Sequence, residues 1–325
     1  MGSDRRWLTV MAVVTALELG GWAVAWGFGF APPAFVAGYF ALAFAALAFA
    51  VALRLAFRLG PTSASWQGVV LGTALVGIGA SAFLPLKYAI PKLVPFWLDM
   101  PLATAEQSFF GGHPWLLLDR MFGWATAPLD WLYCTWLPVQ SLAMFLVMLA
   151  RPSAAKSQAL VAYIVAWLLL GVVAATLLSS AGPLFYDRLF GGSSFASLDE
   201  TLRARGAWVA LAESDAMWAS MATSHPGLVA GISAVPSMHV AISLWIFLTA
   251  RTMAPRTAKA AFLYFILIWL GSVQLGWHYA SDGLAGAIGM LLVWQLARTV
   301  GRTPPSRRLP SDQFLGAASP LPAGP

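Results

Sequence analysis

Charge is what this sequence has least of. Only 10% of its 325 residues are Asp, Glu, Lys or Arg, whereas a soluble domain carries about a quarter. A water-exposed surface cannot be built from that inventory. Cysteine occurs once, as Cys134, which excludes an intramolecular disulfide and a cysteine-rich metal site. Histidine occurs four times, at His113, His225, His239 and His278, and no internal repeat stands out. The first apolar stretch starts at Trp7 behind Asp4, Arg5 and Arg6 and runs to Phe30 without a small-residue cleavage site. It therefore reads as a retained span and not as a signal peptide.

What fills the chain instead is apolar: 59% hydrophobic residues and a mean hydropathy of +0.74. Apolar stretches of about twenty residues recur, each long enough to cross a hydrocarbon core of about 30 Å at 1.5 Å per residue. The expected fold class is an all-α integral membrane protein of about eight spans, near 7–29, 34–57, 66–86, 128–150, 159–182, 237–254, 258–277 and 279–299. The third span has room to extend to Ile90. Between spans three and four, the segment 87–127 carries Pro91, Pro95, Pro101 and Pro114, which interrupt any long helix. Between spans five and six, the segment 183–236 includes a predicted surface helix. Ser197 and Glu200 have capping-box spacing there, and Leu198, Leu202, Trp208, Leu211 and Trp218 follow at near-helical intervals. Such a tryptophan-bearing amphipathic segment belongs in the headgroup layer. From Gly301 the chain is rich in Pro, Gly and Ser, the composition of a disordered tail over 301–325.

The basic residues set an orientation. With the N-terminus in the cytoplasm, 13 of the 19 Lys and Arg residues fall on the cytoplasmic side, from Arg5 and Arg6 through Arg54, Arg151, Lys156 and Arg251 to Arg308. The other side receives Lys87, Lys92, Arg120, Arg188, Arg203 and Arg205. Every loop obeys the positive-inside rule. The net charge of +6 then reports on anionic headgroups and orientation, and gives no reason to expect a nucleic-acid partner. Both long loops, the start of span six and the junction of spans seven and eight fall on the outer face.

Two of the four histidines sit at those last two places. Ser233-Ala-Val-Pro-Ser-Met-His239 leads straight into span six. Pro236 and Ser237 are helix-start residues, so the first turn presents free N–H groups to an anion such as phosphate, with His239 beside it. Gly276-Trp-His278-Tyr-Ala-Ser-Asp282 opens span eight. A spacing of four puts His278 and Asp282 on one helix face. There the carboxylate can fix one imidazole nitrogen and leave the other as a nucleophile. Taken singly, each histidine also fits a packing role, and Asp282 also fits an interfacial one. Two independent segments on one face that supply two histidines and a carboxylate favour chemistry.

The pair Pro-Ser-Met-His239 and His278-Tyr-Ala-Ser-Asp282 resembles the motifs of the type-2 phosphatidic acid phosphatase superfamily. That resemblance implies a six-helix core, here 66–300, with 1–65 as two additional N-terminal helices. It implies that His278 attacks phosphorus to form a phosphohistidine, that Asp282 orients His278, and that His239 protonates the leaving oxygen and then activates the acceptor. It implies no metal and no cofactor, and membrane lipids as partners, with water or a lipid alcohol as acceptor. Two departures stand out. The arginine that phosphatases of the superfamily carry six residues before the second histidine is Ser272 here. Where they have a lysine–arginine–proline motif, this chain reads Gly182-Pro-Leu-Phe-Tyr-Asp-Arg188. With Pro95-Phe-Trp-Leu-Asp99, the pattern is closer to the branch containing inositol phosphorylceramide synthase and its bacterial relatives. An alanine-rich composition fits a bacterial inner membrane, with the site in the periplasm and both termini cytoplasmic.

Arg188 is the candidate phosphate grip, with Ser237 as a second binding residue, because guanidinium binds phosphate oxygens in bidentate fashion. Lys87 and Lys92 lie on the same face and offer the same charge, although snorkelling to the interface accounts for both. His113 and His225 lie in the outer loops. Glu18 sits in mid-span one, where a carboxyl needs a partner that the sequence does not identify. Two other readings stay open: a lipid transporter, and metal-dependent hydrolysis using His278 and Asp282 as ligands.

Overall fold

A computed structural model describes residues 2–31, 36–57, 65–221 and 231–301, and the described chain is helical with no strand. The expectations for His225 and for the tail beyond Gly301 lie outside the described residues. Helices α1 (Gly2–Gly27) and α2 (Val36–Ala56) both lean on α3 (Trp66–Leu93). Outer helices α4 (Asp99–Phe110) and α5 (Pro114–Phe122) follow, then α6 (Thr126–Cys134) and α7 (Trp136–Met148). Helix α8 runs Ala154–Leu177 with a π-helical stretch over Trp167–Ala174. The outer face continues with α9 (Pro183–Phe190), α10 (Ala196–Ala204) and α11 (Trp208–Met221). The chain ends on α12 (Met238–Met253), α13 (Ala258–Gln274) and α14 (Ala280–Gly301).

Among the described residues, six helices are long and apolar enough to cross a membrane: α1, α2, α3, α8, α13 with the turn before it, and α14. The expected fourth span is a bent pair, α5–α6 meeting α7 at 43°. The bend falls where Thr135 turns its hydroxyl onto the Leu132 carbonyl at 2.6 Å and where Pro138 has no N–H for the Cys134 carbonyl. The expected sixth span, α12, has only 16 residues. It packs against α7, α8, α13 and α14. Val240, Ala241, Ile242 and Trp245 are all fully buried, and the Trp245 indole donates to the Ala159 carbonyl at 2.8 Å. A helix apolar on all sides is a core helix, and the residue pattern of α12 is explained by that position.

Of the prolines of 87–127, Pro91 does not interrupt, while the others fall in or at the breaks between helices. Pro91 lies inside α3, which runs on to Leu93, while Pro101 sits in the first turn of α4 and Pro114 opens α5. Proline is tolerated in a first turn because those N–H groups have no intrahelical partner. The surface helix of 183–236 also differs from expectation. It is two helices, α10 and α11, and Ser197 lies inside α10 behind an N-cap at Phe195 that makes no side-chain bond. No capping box forms. The start of α11 is instead held by Asp130 of α6, whose carboxylate accepts from Val209 N–H at 2.8 Å and Ala210 N–H at 2.9 Å. Leu198, Leu202 and Leu211 are buried, but Trp208 is 62% exposed.

The N-terminal helices are tied to the core by charge as well as packing. Lys156 at the start of α8 meets Asp4 at 3.2 Å, both side chains being almost wholly buried. The Trp7 indole donates to the same carboxylate at 3.0 Å. Removing one member of a buried pair strands the other. Lys156→Met is therefore expected to destabilise the protein by about 3–5 kcal/mol, seen as a lowered melting temperature in detergent. The double variant Asp4→Leu/Lys156→Met should recover most of that loss. Glu18 is buried against α3, with its carboxyl oxygen 3.2 Å from the place where a side chain on Gly79 would begin.

Candidate active site

Three segments converge at one end of α12 and α14. The first ends in the cis Val235–Pro236 peptide and Ser237, which caps α12 by accepting from Val240 N–H at 3.4 Å. The second is the turn Gly276–Tyr279 that opens α14, and the third is the 179–183 corner between α8 and α9. Close backbone contacts clamp them. Ser237 N–H donates to the Asp282 carbonyl at 3.0 Å, Ala234 N–H to Ser180 at 2.8 Å, and Leu184 N–H to Gly276 at 2.9 Å. Two glycines are required for this approach. A Cβ on Gly286 would stand 2.4 Å from the Ser237 carbonyl oxygen, and one on Gly182, whose φ is +92°, 2.4 Å from that of Trp277.

This clamp places the predicted residues together. His278 Nδ1 lies 3.4 Å from Asp282 Oδ2. The same carboxylate oxygen accepts from Tyr279 N–H at 2.9 Å. His278 is 5% exposed and Asp282 is fully buried. Neither His278 Nδ1 nor Asp282 Oδ1 has a hydrogen-bond partner, and Nδ1 is nearest the other carboxylate oxygen, Oδ2. The His278 and His239 rings are 5.8 Å apart between centroids at 61°. His239 is held between aromatic neighbours: Tyr133 stacks on it at 4.5 Å and Trp136 lies tilted against it at 4.2 Å, while the Trp136 indole donates to the His239 carbonyl at 3.1 Å.

Electrostatics act in one direction on His278. Burial first, and the Lys87 ammonium second, push its pKa down to about 3, opposed by the nearby Ala234 carbonyl. The imidazole is thus held neutral, the form that has a free lone pair. Lys87 also acts through space on His239. It projects from the end of α3 with Gly231 packed against its backbone, and it forms no ion pair among the described residues. The cation facing the two histidines is therefore Lys87. Arg188 is engaged elsewhere: it pairs with Asp215 at 2.7 Å and lies 5.9 Å over the Trp218 ring. Lys92 lies over Tyr88 at 4.3 Å. His113 occupies the N-cap position of α5 without a side-chain capping bond and lies tilted against Phe195 at 4.1 Å, and burial lowers its proton affinity.

Two carboxylates brace the site from behind. Fully buried Asp99 accepts from Ser180 Oγ at 2.9 Å, from Ala181 N–H at 2.9 Å, from Gly182 N–H at 2.8 Å and from Tyr279 Oη at 3.3 Å. It thereby joins the 179–183 corner to the His278 turn. Glu106 accepts from Ser281 N–H and Oγ, both at 2.7 Å, and holds the first turn of α14. Charge-assisted bonds of this type are about twice as strong as neutral ones. Ser272 is fully buried, and its hydroxyl donates to the Trp269 carbonyl at 2.7 Å. Among the described residues, no three His, Cys, Asp or Glu side chains gather as a metal-ligand set. The arrangement offers a neutral imidazole backed by a carboxylate, a second imidazole opposite it, and one ammonium.

A family model described as the PAP2 superfamily matches residues 101–296, from α4 into α14, and both histidine motifs lie within the match. No curated protein and no solved structure matches the chain.

Proposed function

The chain belongs to the PAP2 superfamily, and from that premise we propose that it is a lipid phosphotransferase with its site at the extracytoplasmic end of about eight spans. The observation that carries the reading is the convergence of His239, His278 and Asp282 beside Lys87. His278 Nε2 attacks phosphorus, the P–N bond forms, and the P–O bond to the departing group breaks. The anionic phosphate of bound substrate favours a proton on His239, which gives it to the leaving oxygen. The acceptor hydroxyl then returns a proton to His239 as its oxygen attacks the phosphohistidine and the P–N bond breaks. Asp282 holds His278 in the tautomer that keeps Nε2 free, and Lys87 offsets charge on the phosphoryl oxygens. Ser237 brings the first turn of α12 to the same oxygens.

The acceptor is what separates a transferase from a phosphatase. A lone ammonium with Ser272 in place of a guanidinium suits a phosphodiester headgroup, which carries less charge than a phosphomonoester. The buried His278, beneath α9 and α10, favours an alcohol over water. A bacterial inner membrane, with both termini cytoplasmic, is the setting that fits the basic-residue count.

Purified protein in detergent, given phosphorus-labelled phosphatidic acid, a polyprenyl diphosphate, or phosphatidylinositol with ceramide or diacylglycerol, tests this directly. A labelled new lipid is the expected product. Labelled free phosphate in its place would make the protein a phosphatase. No turnover on any of them would favour a transporter. Lys87→Gln is expected to lower kcat/KM by about ten- to a hundredfold, the worth of one hydrogen bond to a charged group. Lys87→Arg should restore part of it, and an unchanged kcat/KM in Lys87→Gln would remove Lys87 from the site.

A further inference from the structure

A feature that the proposed chemistry does not use lies at the other end of the bundle. A cavity of about 720 Å³ opens between α7, α12 and α13, with the end of α2 beside it. Helix α12 carries His239 on its first turn and Met253 on its last, so the two sites are separated by about 20 Å at 1.5 Å per residue. Small side chains leave the space: Ala143 on α7, Ala250 on α12 and Ala261 on α13 line it. Its wall along α7 runs from Val139 to Val147, about 12 Å of helix, with Arg151 just past the helix end.

The groove is apolar along its length and basic at one end. Arg54 and Arg151 line it, and no acidic residue does. Neither arginine forms an ion pair among the described residues. Arg54 Nε is buried without a hydrogen-bond partner. Thr249, 6% exposed and lining the same cavity, also has an unpartnered hydroxyl. Buried polar groups without partners are rare in folded proteins and mark places where a further group completes the bonding. Two guanidiniums at the mouth of an apolar slot select an anion joined to a hydrocarbon chain. The basic-residue count places this end at the cytoplasmic leaflet, which is rich in anionic lipid, and basic pockets between membrane helices on that side bind such headgroups.

We propose that this groove binds one anionic phospholipid, its phosphate on Arg54 and Arg151 and one acyl chain between α7, α12 and α13. The site is separate from the histidine site and does not depend on the chemistry assigned there. The test uses delipidated full-length protein in detergent, with phosphatidylglycerol, phosphatidylcholine or inorganic phosphate added, and reads retained lipid by native mass spectrometry. Phosphatidylglycerol should bind about tenfold or more tightly than phosphatidylcholine, and inorganic phosphate should not displace it. Arg54→Gln/Arg151→Gln should bring the two lipids to equal affinity. Ala250→Phe, which fills the groove far from His239, should weaken both; Ala143→Leu serves if that variant does not fold. Equal binding of the two lipids by the unaltered protein would overturn the proposal. So would a charge preference that survives loss of both arginines, or full displacement by inorganic phosphate, which would mark a bare anion site.

Discussion

His278→Ala is expected to lower turnover by about 10⁴-fold or more, the scale of losing a covalent nucleophile. Its fold should be intact, because the backbone bond from His278 N–H to the Ser272 carbonyl at 3.0 Å does not involve the ring. In the unaltered protein, brief incubation with labelled substrate should leave label on the protein in an acid-labile, alkali-stable bond, as a phosphohistidine requires. The variant should retain none. The pH dependence follows from the direction of the His278 shift. A folded pKa of about 3 leaves the ring neutral at every higher pH, so protonation of His278 gives the rate no acid limb near neutrality. The unfolded chain, with a histidine near its ordinary value, binds more protons below it. Stability from this group is thus present above about pH 6.5 and is lost as pH falls toward 3. Equal turnover by His278→Ala would sink the mechanism.

Asp282→Asn is the second large effect, about 10⁴-fold on kcat by analogy with the loss of an orienting carboxylate in a triad. Asparagine is the same size, and its backbone carbonyl can still accept from Ser237 N–H. What changes is the carboxyl group facing His278 Nδ1 at 3.4 Å, which becomes an amide able to donate there as well as accept. The imidazole is then free to take the tautomer whose lone pair points into the protein. KM should change little while kcat collapses, and the melting temperature should stay near that of the unaltered protein. A loss confined to KM would mean that Asp282 serves binding and not orientation.

The start of α12 at Ser237 was legible because a helix start is local, whereas His278 lies in the turn before α14 and does not share a helix face with Asp282. The class of fold was legible from hydropathy alone. What could not be read depends on contacts across the chain. Asp99 and Glu106 matter because they meet Ser180, Tyr279 and Ser281, partners 81 to 180 residues away that no spacing rule connects. Lys87 read as one more interfacial lysine, since nothing in α3 announces that its charge acts on His239 of α12 and on His278 in the turn before α14. Arg188 had the better chemistry on paper, but Asp215 on α11 engages it. The capping-box pattern at Ser197 failed for the opposite reason. It is a strong local signal, and Asp130 settled the neighbouring helix start from outside.

The pair Asp4–Lys156 carries a consequence for how the protein is made. The chain is synthesised from its N-terminus, so α1 enters the membrane with its carboxylate about 150 residues ahead of the lysine that pairs with it. Until α8 arrives, Asp4 has only the Trp7 indole beside it. The histidine site completes later still, because Asp282 belongs to the last helix. On the proposed reading, a nascent chain cannot run its chemistry before α14, which carries Asp282, is in place.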